Sequence, residues 1–226
     1  MMASGASVSP AIHTLAANGL RLERGSRSIF DGVSFTVGSG QALMLRGANG
    51  SGKTSLLRTL AGLTLPDAGA VMWDGAVLKP LAAEWRGAAL YLGHTNALKD
   101  DLSAQENLVD ALSIDGMEAS QPAQLDALEK VGLLERRLVL ARRLSQGQKR
   151  RVGLARLLLA RAQMPLKSLW LLDEPTNALD ESGVSLFTRL ISDHLDNGGM
   201  ACIATHLELK LAAPTNELNL DALVRN

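Results

Sequence analysis

"ALMLRGANGSGKTSLLRTLAGL", residues 42–63, decides the fold. Its first four residues are apolar without alternation, as in a strand buried on both faces, and a glycine-rich turn follows. From Ser55 onward the apolar residues recur at helical spacing, so the stretch reads strand, loop, helix. Gly47 to Thr54 match the pattern G-x-x-x-x-G-K-[ST], in the structural context that this motif requires. Glycines let main-chain N–H groups turn toward a triphosphate, and the start of the helix adds its positive end. Lys53 is then placed to reach the β- and γ-phosphates, and the Thr54 hydroxyl to ligate Mg²⁺.

Two more apolar runs end in polar chemistry. "SLWLLDEP" (168–175) ends in Asp173 and Glu174, and "MACIATH" (200–206) ends in His206. Functional residues at the carboxyl ends of strands suit an open α/β sheet. An Asp-Glu pair alone at a strand end is more often a cap or a turn, but the phosphate loop upstream reverses that expectation. Asp173 is placed to hold Mg²⁺ through a ligand water, Glu174 to orient or deprotonate an attacking water, and His206 to hydrogen-bond a γ-phosphate oxygen.

Between these strands, from about residue 101 to 161, the pattern becomes helical: "LSAQENLVDALS", "AQLDALEKVGLLERR" and "SQGQKRRVGLARLLLARA". Such a block reads as a helical subdomain inserted between sheet strands. In "LSQGQ" (144–148) Ser145 suits a helix cap and Gly147 permits close approach of a backbone, which makes this helix start a second anion site. The arginine-rich "ERRLVLARRLSQGQKRR" (135–151) carries apolar residues at helical spacing, which fits a solvated or phosphate-facing helix surface better than a nucleic-acid patch. A net charge of zero and 3% aromatic residues leave no global footprint for nucleic acid either. Cys202, the single cysteine, sits in an apolar run and reads as an inert core thiol in a reducing compartment. Residues 1–19 lack a basic start followed by a long apolar core, so they read as a frayed leader rather than a secretory signal. No run reaches the roughly 18 apolar residues of a membrane span.

"GANGSGKT", "LSQGQ", "LWLLDEP", "NALD" and "TH", in this order, resemble the nucleotide-binding subunits of ATP-binding cassette transporters, and the resemblance covers the chain from about residue 14. It implies an α/β fold: a P-loop NTPase, RecA-like core with an inserted α-helical subdomain (about 96–161) and an N-terminal antiparallel β region. Residues 14–226 would form one nucleotide-binding domain behind a disordered leader, 1–13. It also implies that two copies of the cassette sandwich two ATP molecules head to tail. Gly47, Ala48, Asn49, Gly50, Ser51, Gly52, Lys53, Thr54 and Ser55 would then hold the phosphates of one ATP. Ser145, Gln146, Gly147 and Gln148 would contact the ATP of the other copy. Glu174 would be the catalytic base, His206 the switch histidine and Asp180 the residue that couples the two sites; Thr54, Asp173 and His94 would hold the metal.

Two positions depart from the family pattern. Arg24 stands where an aromatic residue usually stacks on adenine, and its planar guanidinium can still stack. His94 stands where a glutamine usually senses γ-phosphate and Mg²⁺ and meets the membrane subunit. "YLGHTNALKDDLSAQENL" (91–108), with the short C-terminal end after "THLEL", resembles the ATPase subunits of the bacterial haem exporters of cytochrome c maturation, where a histidine in this loop is expected. That resemblance implies a transport-coupled ATPase with ATP and Mg²⁺, peripheral on the cytoplasmic face of the inner membrane. Its partners would be integral membrane permease subunits, and the ATP-dependent step the release of a haem-loaded chaperone. Two other readings stay open: a cassette ATPase for another exported substrate, and a regulatory module that holds ATP without turnover.

Overall fold

The structure is a computed structural model that describes residues 12–79, 83–163 and 168–223. The greater part of the expected leader, 1–11, lies outside the described residues. The chain runs β1 (Thr14–Arg24), β2 (Arg27–Gly38), β3 (Ala42–Arg46), α1 (Lys53–Leu60), β4 (Ala68–Trp73), β5 (Ala76–Val77), α2 (Ala83–Ala88) and β6 (Ala89–Leu92). It continues through α3 (Ala104–Ile114), α4 (Gln121–Lys130), α5 (Gln146–Arg161), β7 (Leu169–Asp173), α6 (Glu181–Asp196), β8 (Met200–Ala204) and β9 (Thr215–Asn219).

The strands divide into two sheets. β1, β2, β4 and β5 form an antiparallel sheet in the order β2-β1-β4-β5, whereas β6, β7, β8, β3 and β9 form a parallel one in that order. In β1 and β2 the apolar residues turn inward, Leu15, Ala17, Leu20 and Leu22 against Phe30, Val33 and Val37. The central parallel strands are buried on both faces, which is why their sequences are continuous apolar runs. Alternation still sorts their side chains by face. Leu43, Leu45, Leu169, Leu171, Met200 and Cys202 pack with α1 and the antiparallel sheet. Met44, Trp170, Leu172, Ala201 and Ile203 pack on the other side with α3, α5 and α6. Burial holds the Cys202 thiol up at about 12, so the cysteine is inert core.

Capping sets where the helices begin. Ser103 and Glu106 form a reciprocal capping box on α3, and Ser145 and Gln148 form one on α5. Asp180 caps α6 by accepting from the Gly183 N–H at 2.9 Å. α3, α4 and α5 occupy the stretch where the sequence predicts helices, and α3 is locked to α5 by a two-pronged ion pair between Asp115 and Arg156. All five parallel strands point the same way, so the loops that leave their carboxyl ends gather along one edge.

Candidate functional site

The loop after β3 is built on backbone that only glycine adopts freely. Gly47, Gly50 and Gly52 have φ of 135°, 84° and 98°. A Cβ on Gly52 would lie 2.9 Å from the Ile29 Cγ2, because β2 crosses directly against the loop. The loop curls round Lys53, whose Nζ donates to the carbonyls of Gly47 (2.7 Å) and Ala48 (3.0 Å). The buried Ser51 Oγ has no hydrogen-bond partner in the protein. An orphaned hydroxyl, a lysine resting on its own loop and the free N–H groups of the α1 start together fit a bound polyphosphate. Ile29, Asn49, Lys53, Thr54, Asp173, Glu174 and His94 line the cleft of about 280 Å³ in front of them.

The loops after β7 and β8 bring acid and histidine to this cleft. Thr54 Oγ1 donates to Asp173 Oδ2 at 2.8 Å, which joins the phosphate loop to a carboxylate that is 1% exposed. Glu174 follows with φ of 48°, an unfavourable left-handed conformation for a residue other than glycine, held by its N–H donating to the Ala204 carbonyl at 2.8 Å. His206 lies two residues beyond the end of β8, where its Nε2 is 3.0 Å from Asn49 Oδ1 and 3.4 Å from Glu174 Oε1. Phosphate loop, carboxylate and histidine thus meet around one point.

His94, after β6, also borders the cleft and is exposed. Its loop is held from two sides by residues that sequence reading missed. Arg150 Nη1 and Nη2 donate to the carbonyls of Gly93 (3.1 Å) and His94 (2.9 Å). The buried Asn107 of α3 donates to the carbonyls of Lys99, Leu102 and Ser103 and accepts from the Lys99 N–H. On the far side of the phosphate loop, Asp221 accepts from the Ala48 N–H with both carboxylate oxygens, at 3.0 and 3.1 Å. The signal for Arg150 was present: it shares a helical face with the apolar Leu154 and Leu157, spacing that puts a charge on the inner side of α5.

The residues of "LSQGQ" stand at the start of α5, outside this cleft. Gln146 and Gly147 occupy the first helical positions, whose N–H groups have no intrahelical acceptor. A Cβ on Gly147 would come within 2.6 Å of the Ala178 carbonyl, so the start of α5 is pressed against the loop that leads to Asp180. Asp180 also accepts from Arg151 at 2.6 Å, and the hydrogen bonds from Gly183, Arg151 and Ser182 hold its carboxyl below the usual carboxylate range. The arginine-rich stretch is therefore more than a solvated surface: Arg150 is 2% exposed and Arg151 binds Asp180, Ser182 and the Val131 carbonyl. Arg24 is exposed at the β1–β2 hairpin opposite Arg27, two positions before Ile29 of the cleft wall.

A phosphate loop, a carboxylate pair and a second helix start in a mixed α/β frame define a nucleotide-binding cassette, and residues 30–177 match the family model described as ABC transporter. The chain belongs to that family. Among its relatives, the cytochrome c biogenesis ATP-binding export protein CcmA of Nitrosomonas europaea is 44% identical over 204 residues, covering 90% of this chain and 93% of that protein. The protein of the same name from Nitrosospira multiformis is 47% identical over 189 residues, covering 84% and 89%. A putative ABC transporter ATP-binding protein from Pyrococcus furiosus has the same fold, with a TM-score of 0.75 at 24% identity over 94% of this chain and all of that one. So does a dimeric bacterial ABC transporter cassette, with a TM-score of 0.72 at 22% identity over 85% of this chain and 88% of that one.

Proposed function

We propose that the cleft hydrolyses ATP with Glu174 as general base and that two copies of the chain, head to tail, drive a membrane complex that exports or releases haem. The chain is an ATPase of the ABC type, turning ATP and water into ADP and phosphate, and it serves cytochrome c biogenesis. The observation that carries this is the meeting of Thr54, Asp173, Glu174, His206 and Asn49 at the mouth of the phosphate loop.

Each of these residues has a distinct task. The loop amides and Lys53 bind the β- and γ-phosphates, and Lys53 exchanges its two loop carbonyls for phosphate oxygens. Thr54 and Asp173 would hold Mg²⁺ together with oxygens of the nucleotide, supplying charge neutralisation on the phosphates. That donor set suits Mg²⁺, which binds through one or two carboxylates plus phosphates, and among the described residues no group of three or more His, Cys, Asp or Glu could hold a metal. His94 stands beside this position as a sensor of γ-phosphate. Glu174 takes the proton from the attacking water; His206, within reach of both Glu174 and Asn49, reports the γ-phosphate to them. The free N–H groups of Gln146 and Gly147, with the Ser145 and Gln148 side chains, face the nucleotide of the second copy. Asp180, tied to the signature helix by Arg151, links the two sites. Arg24 stacks on the base.

No helix among the described residues is long and apolar enough to cross a membrane. The relatives' name, ATP-binding export protein, supports the reading that this chain works through integral permease subunits, peripheral on the cytoplasmic face of the inner membrane. The test is co-purification from detergent-solubilised membranes, with ATP turnover measured in the complex. Permease partners that bind haem and stimulate turnover are expected. Partners with no haem-handling role would point to another exported substrate, and nucleotide binding without turnover in the full complex would point to a regulatory module.

A further inference from the structure

Arg150 sits in the second turn of α5 and is 2% exposed. A guanidinium keeps its charge and carries a fork of N–H donors, so burying it is costly unless those donors are used. Here they are used on the main chain of the His94 loop, on the carbonyls of Gly93 and His94, 57 and 56 positions away in sequence. Burial pulls the Arg150 pKa down, while the charges of Asp173 and Glu174 push it back up, which places the guanidinium within the field of the catalytic carboxylates. One cation thus belongs to α5 by covalent structure, to the His94 loop by hydrogen bonds and to the carboxylates by charge.

Two independent contacts couple the same elements. Asn96 Nδ2 reaches Gln146 Oε1 at 3.5 Å, directly joining the loop to the signature. α5 also lies so close to β6 that a Cβ on Gly153 would be 3.0 Å from Leu92 Cδ1. α5 and the end of β6 are therefore closely packed, and Leu92 immediately precedes Gly93 and His94.

We propose that Arg150 is a positioning residue for hydrolysis: it fixes the main chain of Gly93 and His94 so that the histidine borders the phosphate-loop cleft, and it makes that placement follow α5. This rests on the hydrolytic reading above. Because the first residues of α5 face the nucleotide of the second copy, occupancy there is passed to His94 through the Arg150 fork rather than through solvent. A lysine at this position keeps the charge beside Asp173 and Glu174 but cannot hold two carbonyls in one rigid geometry. Charge and tether are therefore separable.

The experiment combines hydrogen exchange on the isolated chain with turnover in the membrane complex. In Arg150→Lys, amide exchange across residues 93–102, where the Lys99 and Leu102 N–H groups are hydrogen-bonded, should rise about tenfold while β7 and β8 stay unchanged, and kcat should fall about tenfold or more with KM for ATP within about twofold. In a His94→Ala background, Arg150→Lys should change kcat by less than about twofold, because both changes disable one device. Exchange at 93–102 that is unaltered, or that rises equally in β7 and β8, would overturn the tether. A full additive loss in the His94→Ala background would overturn its action through His94. Arg150→Gln, which retains one donor group and loses the charge, provides the second variant and should loosen the same segment. A wild-type complex without ATP turnover would sink the hydrolytic reading instead, and the exchange arm would still decide whether Arg150 holds the loop.

Discussion

Acid should destabilise this protein through one buried ring. His194, on α6, is fully buried, stacked on Trp170 at 3.8 Å between ring centroids, with Nε2 3.1 Å from the Met200 carbonyl. Its other ring nitrogen is buried without a hydrogen-bond partner. Burial lowers its pKa from 6.5 to about 4, only partly offset by the main-chain groups of Met200 and Ser168. Above the unfolded value, neither state binds the proton and the ring imposes no penalty. As pH falls below 6.5 the unfolded chain takes up the proton and the folded one does not, so stability falls by about 1.4 kcal/mol per pH unit until about pH 4. The total is about 3 kcal/mol, a sizeable part of a typical domain's stability. Other carboxylates titrate in the same range, so the measurement is a difference: urea unfolding of wild type and His194→Gln at a series of pH values. Glutamine can still donate to the Met200 carbonyl and does not titrate, so the gap between the two proteins should narrow or reverse by about 3 kcal/mol between pH 7 and 4. Parallel stability curves, with less than about 1 kcal/mol of change in the gap, would refute the neutral buried ring.

Further tests probe the packing around the site. Gly147→Ala would drive a methyl group toward the Ala178 carbonyl, now 2.6 Å from the Cβ position, and should lower stability by about 1–3 kcal/mol, read as a shift in urea midpoint at constant m-value. A buried thiol held up at about 12 should resist maleimide at pH 8 in the folded protein, and Cys202 should be labelled only once urea unfolds the chain.

The geometry of the candidate site was legible where one residue type in one local pattern has a single physical use. Gly47 to Thr54 announced their loop because strand, glycines and helix are contiguous, and Asp173 and Glu174 stood out as acids at the end of an apolar run. Ser145 and Gln148 form the box that their three-residue spacing allows. What stayed hidden is long-range. Asp221 meets Ala48 only because β9 pairs beside β3, and Arg150 meets Gly93 only because α5 crosses the end of β6. No local pattern encodes such contacts. The arginine-rich stretch illustrates the limit: helical spacing suggested a solvated or phosphate-facing surface, which the exposed Arg142 and Arg143 fit, whereas Arg150 is turned into the interior and its neighbour Arg151 is tied to Asp180.

ATP turnover by Glu174→Gln, with ATP affinity measured on the same preparation, tests the role of this cleft most directly. The Glu174 carboxylate stands 3.4 Å from His206 at the mouth of the phosphate loop, and glutamine keeps its shape while removing its basicity. Phosphate release in the membrane complex should fall by about two to four orders of magnitude while ATP binding stays within about threefold of wild type. Unchanged turnover alongside unchanged binding would show that the base lies elsewhere and that the arrangement around Glu174 is not the hydrolytic centre.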